Sequence, residues 1–175
     1  MANTEPPRGW YCGIGSRETP EDICKTMTTV AETLEAAGFG LHSGHADGAD
    51  TAFEEGAKTK RIFLPWVGFN RASPGEDGHM VLDYTIQLED LAMKFHPNWN
   101  AVSGPAKRLL ARNGYQILGP KLDTPVNFVI CWTKGGKREG GTGQALRIAD
   151  HYKIPIVDLG HPNGMDLLVE LGTYL

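Results

Sequence analysis

Apolar positions along this chain fall into two kinds of segment, short continuous runs and longer stretches at helical spacing. The run WYCGI at 10–14 stops at Gly15 and predicts a buried strand. Thr19-Pro20-Glu21-Asp22 then carries the marks of a helix start: a capping hydroxyl, a proline preset for the first turn, and two acids facing the positive helix end. Ile23, Met27, Val30, Ala31 and Leu34 follow at helical spacing and Gly38 closes the segment, so a helix is predicted over 20–37. A second strand is predicted over 39–42. A second helix is predicted from Ala46 or Asp47 to Ala57, and a third strand (RIFLP) over 61–65. Residues 66–78 are rich in Gly, Pro and Asn and read as a loop. Helices are predicted over 82–95 and 105–118, and VNFVICW at 126–132 is the clearest strand of the chain. A Gly- and Lys-rich loop over 133–143 precedes a helix over 144–152, a strand over 154–157 and a closing helical turn over 165–171.

This order predicts an α/β fold: a Rossmann-like open parallel sheet of about five strands with helices on both faces. The 175 residues suit one domain over 1–175, with a helical insert at about 66–121. Apolar content of 41% with 22% charged residues is that of a folded chain with a core. No apolar run approaches the ~20 residues of a membrane helix, so no membrane partner is expected. The start MANTEPPRG lacks a basic–apolar–cleavage pattern, so no signal peptide is expected. Cys12, Cys24 and Cys131 are odd in number and lack Cys-x-x-Cys spacing, which argues against a disulfide framework and for a reducing cytoplasm. The formal charge of −4 counts against a protein built mainly to grip a phosphate backbone. Charge can still be local, and basic clusters occur at Lys58/Lys60/Arg61, Lys107/Arg108/Arg112 and Lys134/Lys137/Arg138.

Ligands of open α/β sheets lie outside the carboxyl ends of the strands. Three glycine-rich segments fall at such ends: Gly13 to Arg17, Ser43 to Gly48, and Gly135-Gly136 with Gly140 to Gly143. Glycine lets backbone N–H groups approach an anion, and a helix N-terminus offers unpaired donors with partial positive charge. The reading is a phosphate-bearing ligand contacted by Gly15, Ser16, Arg17, Ser43, Gly44, Asp47, Gly48, Asp50, Gly140, Gly141, Thr142, Gly143 and Gln144, with Trp132 able to stack on a base. Arg17 is the strongest anion contact among them, because its fork can hold a phosphate through two hydrogen bonds. For Asp47 and Asp50, helix capping stands beside ribose binding or polarisation of a water. His42 and His45 with Asp47 invite a metal reading, but His42 belongs to the strand and points away, so no metal and no cofactor are expected. There is no Gly-x-Ser-x-Gly elbow and no Walker A Gly-Lys-Ser/Thr, and Glu18 stands where a dinucleotide fingerprint needs its third glycine.

Gly15-Ser16-Arg17, then Ser43-Gly44-x-Ala46-x-Gly48-Ala49-Asp50, then Gly140-Gly141-Thr142-Gly143-Gln144-Ala145, resemble the SLOG superfamily. It joins the DNA-processing protein A family, the LOG phosphoribohydrolases and small ligand-sensing domains. The resemblance covers 10–64 and resumes over 126–159. It implies a pocket for a nucleotide or nucleotide-derived small molecule, held without catalysis, and a homodimer or larger homo-oligomer. The LOG branch implies instead an N-glycosidic hydrolase. Its catalytic Glu position here holds Arg147, so Asp47, Asp50 or Glu54 would have to supply the carboxylate. The DNA-processing branch implies single-stranded DNA binding, which the acidic balance and the insert do not favour.

Overall fold

The computed structural model describes residues 5–175; residues 1–4, part of the start read above for a signal peptide, lie outside them. Among these described residues six strands build one all-parallel sheet: β1 (Gly9–Gly15), β2 (Phe39–Ser43), β3 (Lys60–Leu64), β4 (His79–Val81), β5 (Phe128–Trp132) and β6 (Ile156–Asp158). Their order is β4-β3-β2-β1-β5-β6, every neighbouring pair running parallel. The expected α/β class holds, with six strands in place of about five. The additional one is β4, three half-buried residues directly after the Gly-rich loop.

Among the described residues six α-helices complete the fold: α1 (Glu21–Ala36), α2 (Ala49–Gly56), α3 (Ile86–Lys94), α4 (Gly104–Leu118), α5 (Gly140–His151) and α6 (Gly164–Gly172). Alternate residues of β1 feed opposite faces, as the two-residue period of a strand requires. Tyr11 joins Phe39, Leu41, Phe53, Phe128 and Ile130 under α1 and α2, with Leu167 and Leu168 of α6 packed against them. Cys12 and Ile14 join Val129, Ile117, Leu146 and Ile148 under α4 and α5. A third cluster of Phe63, Leu88, Ala92, Trp99 and Tyr115 ties α3 and α4 to the β3 side of the sheet. The segment read as an insert is therefore part of the main layer: α4 covers the sheet beside α5, and Trp99 is buried in the third cluster.

Element starts shift where side chains find other partners. Thr19 is not the cap of α1: its hydroxyl donates to the Ser16 carbonyl, and Pro20 takes the capping place. α2 begins at Ala49 rather than 46–47, because Gly48 turns with φ 82 before the helix is entered. α3 begins at Ile86, where the Thr85 hydroxyl accepts from the Leu88 N–H at 3.1 Å. α5 begins a turn earlier than predicted, so Gly140 to Gly143 form its first turn instead of a loop.

α1 and α2 pack closely at Gly56, where an added methyl would press on the Thr28 carbonyl and come within 2.8 Å of the Ala31 side chain. Helix propensity alone favours alanine over glycine there. Overpacking dominates, and Gly56→Ala is expected to lower stability by about 1–3 kcal/mol, read from the urea midpoint; a stabilised variant would contradict this packing.

Candidate functional site

β2, β1 and β5 lie side by side, so the three glycine-rich segments that follow them share one edge of the sheet. Strand order reverses between β1 and β5, which is where open α/β sheets form their ligand crevice. Gly15 is aligned with Trp132, and the Ser16 N–H donates to the Trp132 carbonyl at 3.2 Å. A side chain at Gly15 would lie 2.6 Å from the Ala49 methyl, so this glycine lets α2 start directly against β1. A side chain at Gly48 would lie 2.7 Å from the Ser16 carbonyl and 2.8 Å from the Arg17 carbonyl. The loops after β1 and β2 thus touch backbone to backbone. The Ser16 hydroxyl accepts from the Glu18 N–H at 3.0 Å, and Arg17 is exposed. Trp132 is partly buried and packs on the Tyr11 side of the sheet.

Beyond β5, Gly140 and Gly141 are exposed at the start of α5 and Thr142 is half-exposed. Gly143 is buried because the Arg138 backbone folds directly over it. Gln144 is corrected from ligand contact to framework. It is fully buried, its carbonyl accepts from Asn113 Nδ2 at 3.0 Å, and its amide donates to the Ala92 carbonyl at 3.4 Å. Arg147 is engaged likewise, its Nε donating to the Phe95 carbonyl at 2.9 Å.

The loop 43–50 divides its polar groups between interior and surface. Asp47 is exposed. Asp50 is not a helix cap: its carboxylate turns back and accepts from the N–H groups of Gly44 at 3.2 Å and Ala46 at 3.3 Å. Beneath it lies Arg112 of α4, whose Nη1 donates to the Gly44 carbonyl and to the Phe63 carbonyl at 3.0 Å. A side chain at Gly44 would run into that guanidinium. Burial pushes the Asp50 carboxyl up to about 7; Arg112 and the two N–H donors pull it down, and Glu54 pushes it further up. His42 is a core residue, its Nδ1–H donating to the Gln116 carbonyl at 3.0 Å. Burial lowers its pKa to about 4, the Gln116 bond opposing and Arg61 assisting.

Glu54 of α2 is buried and gathers the outer side of the same loop. It accepts from the Ser43 hydroxyl at 2.6 Å and the His45 N–H at 3.0 Å, and its second oxygen faces His45 Nδ1 at 2.6 Å. His45, Glu54 and His79 are the residues able to hold a metal here among the described residues. Sequence reading missed His79 and took Arg112 only as part of a basic cluster; both reach the loop from positions far along the chain.

No protein-family model matches the sequence, and no curated protein matches it. Among solved structures, the chain is similar to DNA processing protein A from Helicobacter pylori, a protein with a single-stranded DNA binding mode. The TM-score is 0.57 at 19% identity, over 95% of this chain and 73% of that one. The fold is of the DNA processing protein A type. At that identity the likeness concerns the fold alone. The chain is an α/β protein, and among its described residues no helix is long and apolar enough to cross a membrane.

The buried carboxyl sets a pH dependence. Between about pH 4 and 7 the folded chain keeps a proton on Asp50 that the unfolded chain releases, so stability falls as pH rises through that window. Asp50→Asn removes this titration. Urea midpoints should therefore show the wild type's advantage over the variant shrinking from pH 4 to pH 8; a constant difference would mean that Asp50 ionises as it does in water.

Proposed function

We propose that the chain binds a phosphate-bearing, nucleotide-derived small molecule at the carboxyl edge between β1 and β5, and holds it without transforming it. The observation that carries this reading is Gly141. Its φ is not among the positive values found in the chain, and an added Cβ would meet nothing closer than 3.8 Å. Neither backbone conformation nor packing asks for glycine there. Its absent side chain leaves the first turn of a 12-residue helix bare, where free N–H donors and the helix dipole favour an anion. Exposed Arg17, free of ion pairs among the described residues, follows the neighbouring strand. Ser16, Gly140 and Thr142 complete the edge, and the half-buried Trp132 offers a face to a base. Gly48 supports the contact between the first two loops, while Ser43, Gly44, Asp50 and Gly143 brace the edge from inside.

Binding without catalysis fits the carboxylates. Asp50 is turned inward and Glu54 is engaged by Ser43 and His45, which leaves Asp47 as the exposed acid of the loop. A second reading, single-stranded DNA binding, is favoured by the likeness to DNA processing protein A and by exposed Lys134 and Lys137 before α5. The net charge of −4 weighs against a long phosphate track. Self-association belongs to the proposal, and exposed Met165, Val169 and Tyr174 on and after α6 supply apolar surface for it. The three free cysteines suit a reducing compartment such as the cytoplasm.

A panel of mono-, di- and cyclic nucleotides should yield at least one that raises the melting temperature. Arg17→Ala should weaken its binding by about tenfold or more, the scale of one charge-assisted hydrogen bond. Gly141→Val should weaken it as well while moving stability by less than about 1 kcal/mol. An unchanged affinity in both variants would remove this edge from the site. Steeply salt-dependent binding of an oligonucleotide would favour the second reading, and base release seen by chromatography would overturn binding without catalysis.

A further inference from the structure

The outer side of the loop after β2 carries another site. We propose that His45, Glu54 and His79 bind a divalent transition-metal ion, zinc before others, with an open coordination position toward the cleft beside α2. One ligand atom from each residue lies within 4.8 Å of the others, and none of the three is exposed. They come from three separate segments, the loop after β2, α2 and the start of β4.

His79 supplies the observation that an ion pair alone does not explain. Its Nδ1–H donates to the Glu76 carbonyl at 2.7 Å. That bond fixes the neutral tautomer and leaves Nε2 with a lone pair. Nε2 is buried and has no hydrogen-bond partner. A backbone carbonyl that orients one ring nitrogen while the other binds a metal is the usual supporting arrangement for histidine ligands. The two imidazoles stand edge to face with centroids 4.8 Å apart, so both approach one point. Glu54 is oriented in the same way. Its Oε1 is occupied by the Ser43 hydroxyl and the His45 N–H, which leaves Oε2 for an ion.

The ligand set is two imidazoles and one carboxylate, a set that suits zinc or ferrous iron and excludes the all-oxygen preference of calcium and magnesium. Around tetrahedral zinc, ligand atoms stand about 3.3 Å apart. The His45–Glu54 contact of 2.6 Å would open and the wider pairs would close, both within side-chain reach. The hydrogen between His45 Nδ1 and Glu54 Oε2 gives way to the ion, and a neutral His45 carries it on Nε2 instead. Lys60 nearby pairs with Asp77 at 3.2 Å, which offsets its charge toward the ion. The cleft lined by these residues measures about 540 Å³, room for a water or an oxygen ligand at the fourth position.

The test uses the full chain freed of metal by a chelator, titrated calorimetrically with zinc chloride and, separately, with cobalt(II) for its visible spectrum. One ion per chain is expected. The cobalt spectrum should show d–d bands without the thiolate charge-transfer band that cysteine ligation brings. His79→Ala, His45→Asn and Glu54→Gln should each weaken zinc binding by more than about tenfold. Asparagine tolerates the left-handed φ of 59 at position 45, and glutamine keeps the shape of Glu54, so these two variants preserve the fold. Metal-free melting curves check each variant. Cys24→Ser and His161→Ala should leave zinc affinity unchanged. Absence of stoichiometric binding, undiminished affinity in the three folded ligand variants, or a thiolate band would overturn the site.

Discussion

A buried guanidinium under the loop that follows β2 is the constraint on which the surrounding structure depends. Arg112 lies in the interior, and its Nη1 donates to carbonyls at the ends of two adjacent strands, Gly44 and Phe63. A charge so placed is costly unless it is hydrogen-bonded and compensated. The two carbonyls meet part of that cost, and the nearby carboxyls of Asp50 and Glu54 favour the charged guanidinium against its burial. Three features follow. Gly44 has no side chain because one would occupy the space of the guanidinium. Asp50 turns inward, where it holds the N–H groups that Arg112 cannot serve. α4 must cross the sheet beneath the loop, which makes the middle of the chain part of the fold's framework rather than an appendage.

Five strands were legible in the sequence because they are short, mostly apolar runs of a covered parallel sheet, such as FVICW in β5. β4 was not. At three half-buried residues it carries no periodicity, and it follows a stretch whose composition reads as loop. The start of α5 was missed for a related reason. Gly140-Gly141-Thr142-Gly143 has poor helix propensity, and tertiary contact overrides it: the backbone at Arg138 closes over Gly143 and fixes the first turn. Gln144 was misjudged on adjacency alone. One residue beyond a bare helix start, a side chain points into the protein, and this one meets Asn113.

The candidate site was legible as an edge and illegible as a network. Glycine-rich strand ends announce where ligands approach a parallel sheet, and β2, β1 and β5 are indeed neighbours. The partners of that edge are far along the chain. Arg112 reaches Gly44 across 68 residues, and His79 meets His45 only because β4 pairs with β3. No local pattern encodes such pairs, since they depend on which strand lies next to which.

The segment 43–50 shows what this does to residue roles. Ser43 and His45 both turn to Glu54, on the α2 side, while Gly44 between them faces Arg112 on the α4 side. The strand period carries the alternation past the end of β2 to Gly44, and His45 leaves it with a left-handed φ of 59. At Gly48 the chain takes a second positive φ and meets the loop after β1. One short loop therefore faces three environments, and a residue's chemistry within it follows from its direction. Asp47 and Asp50 are the same residue type three positions apart, yet one is exposed to water and the other is buried close enough to an arginine to feel its charge. Clustering in sequence is thus a poor guide to clustering in space, and the acids and histidines of this loop belong to separate assemblies.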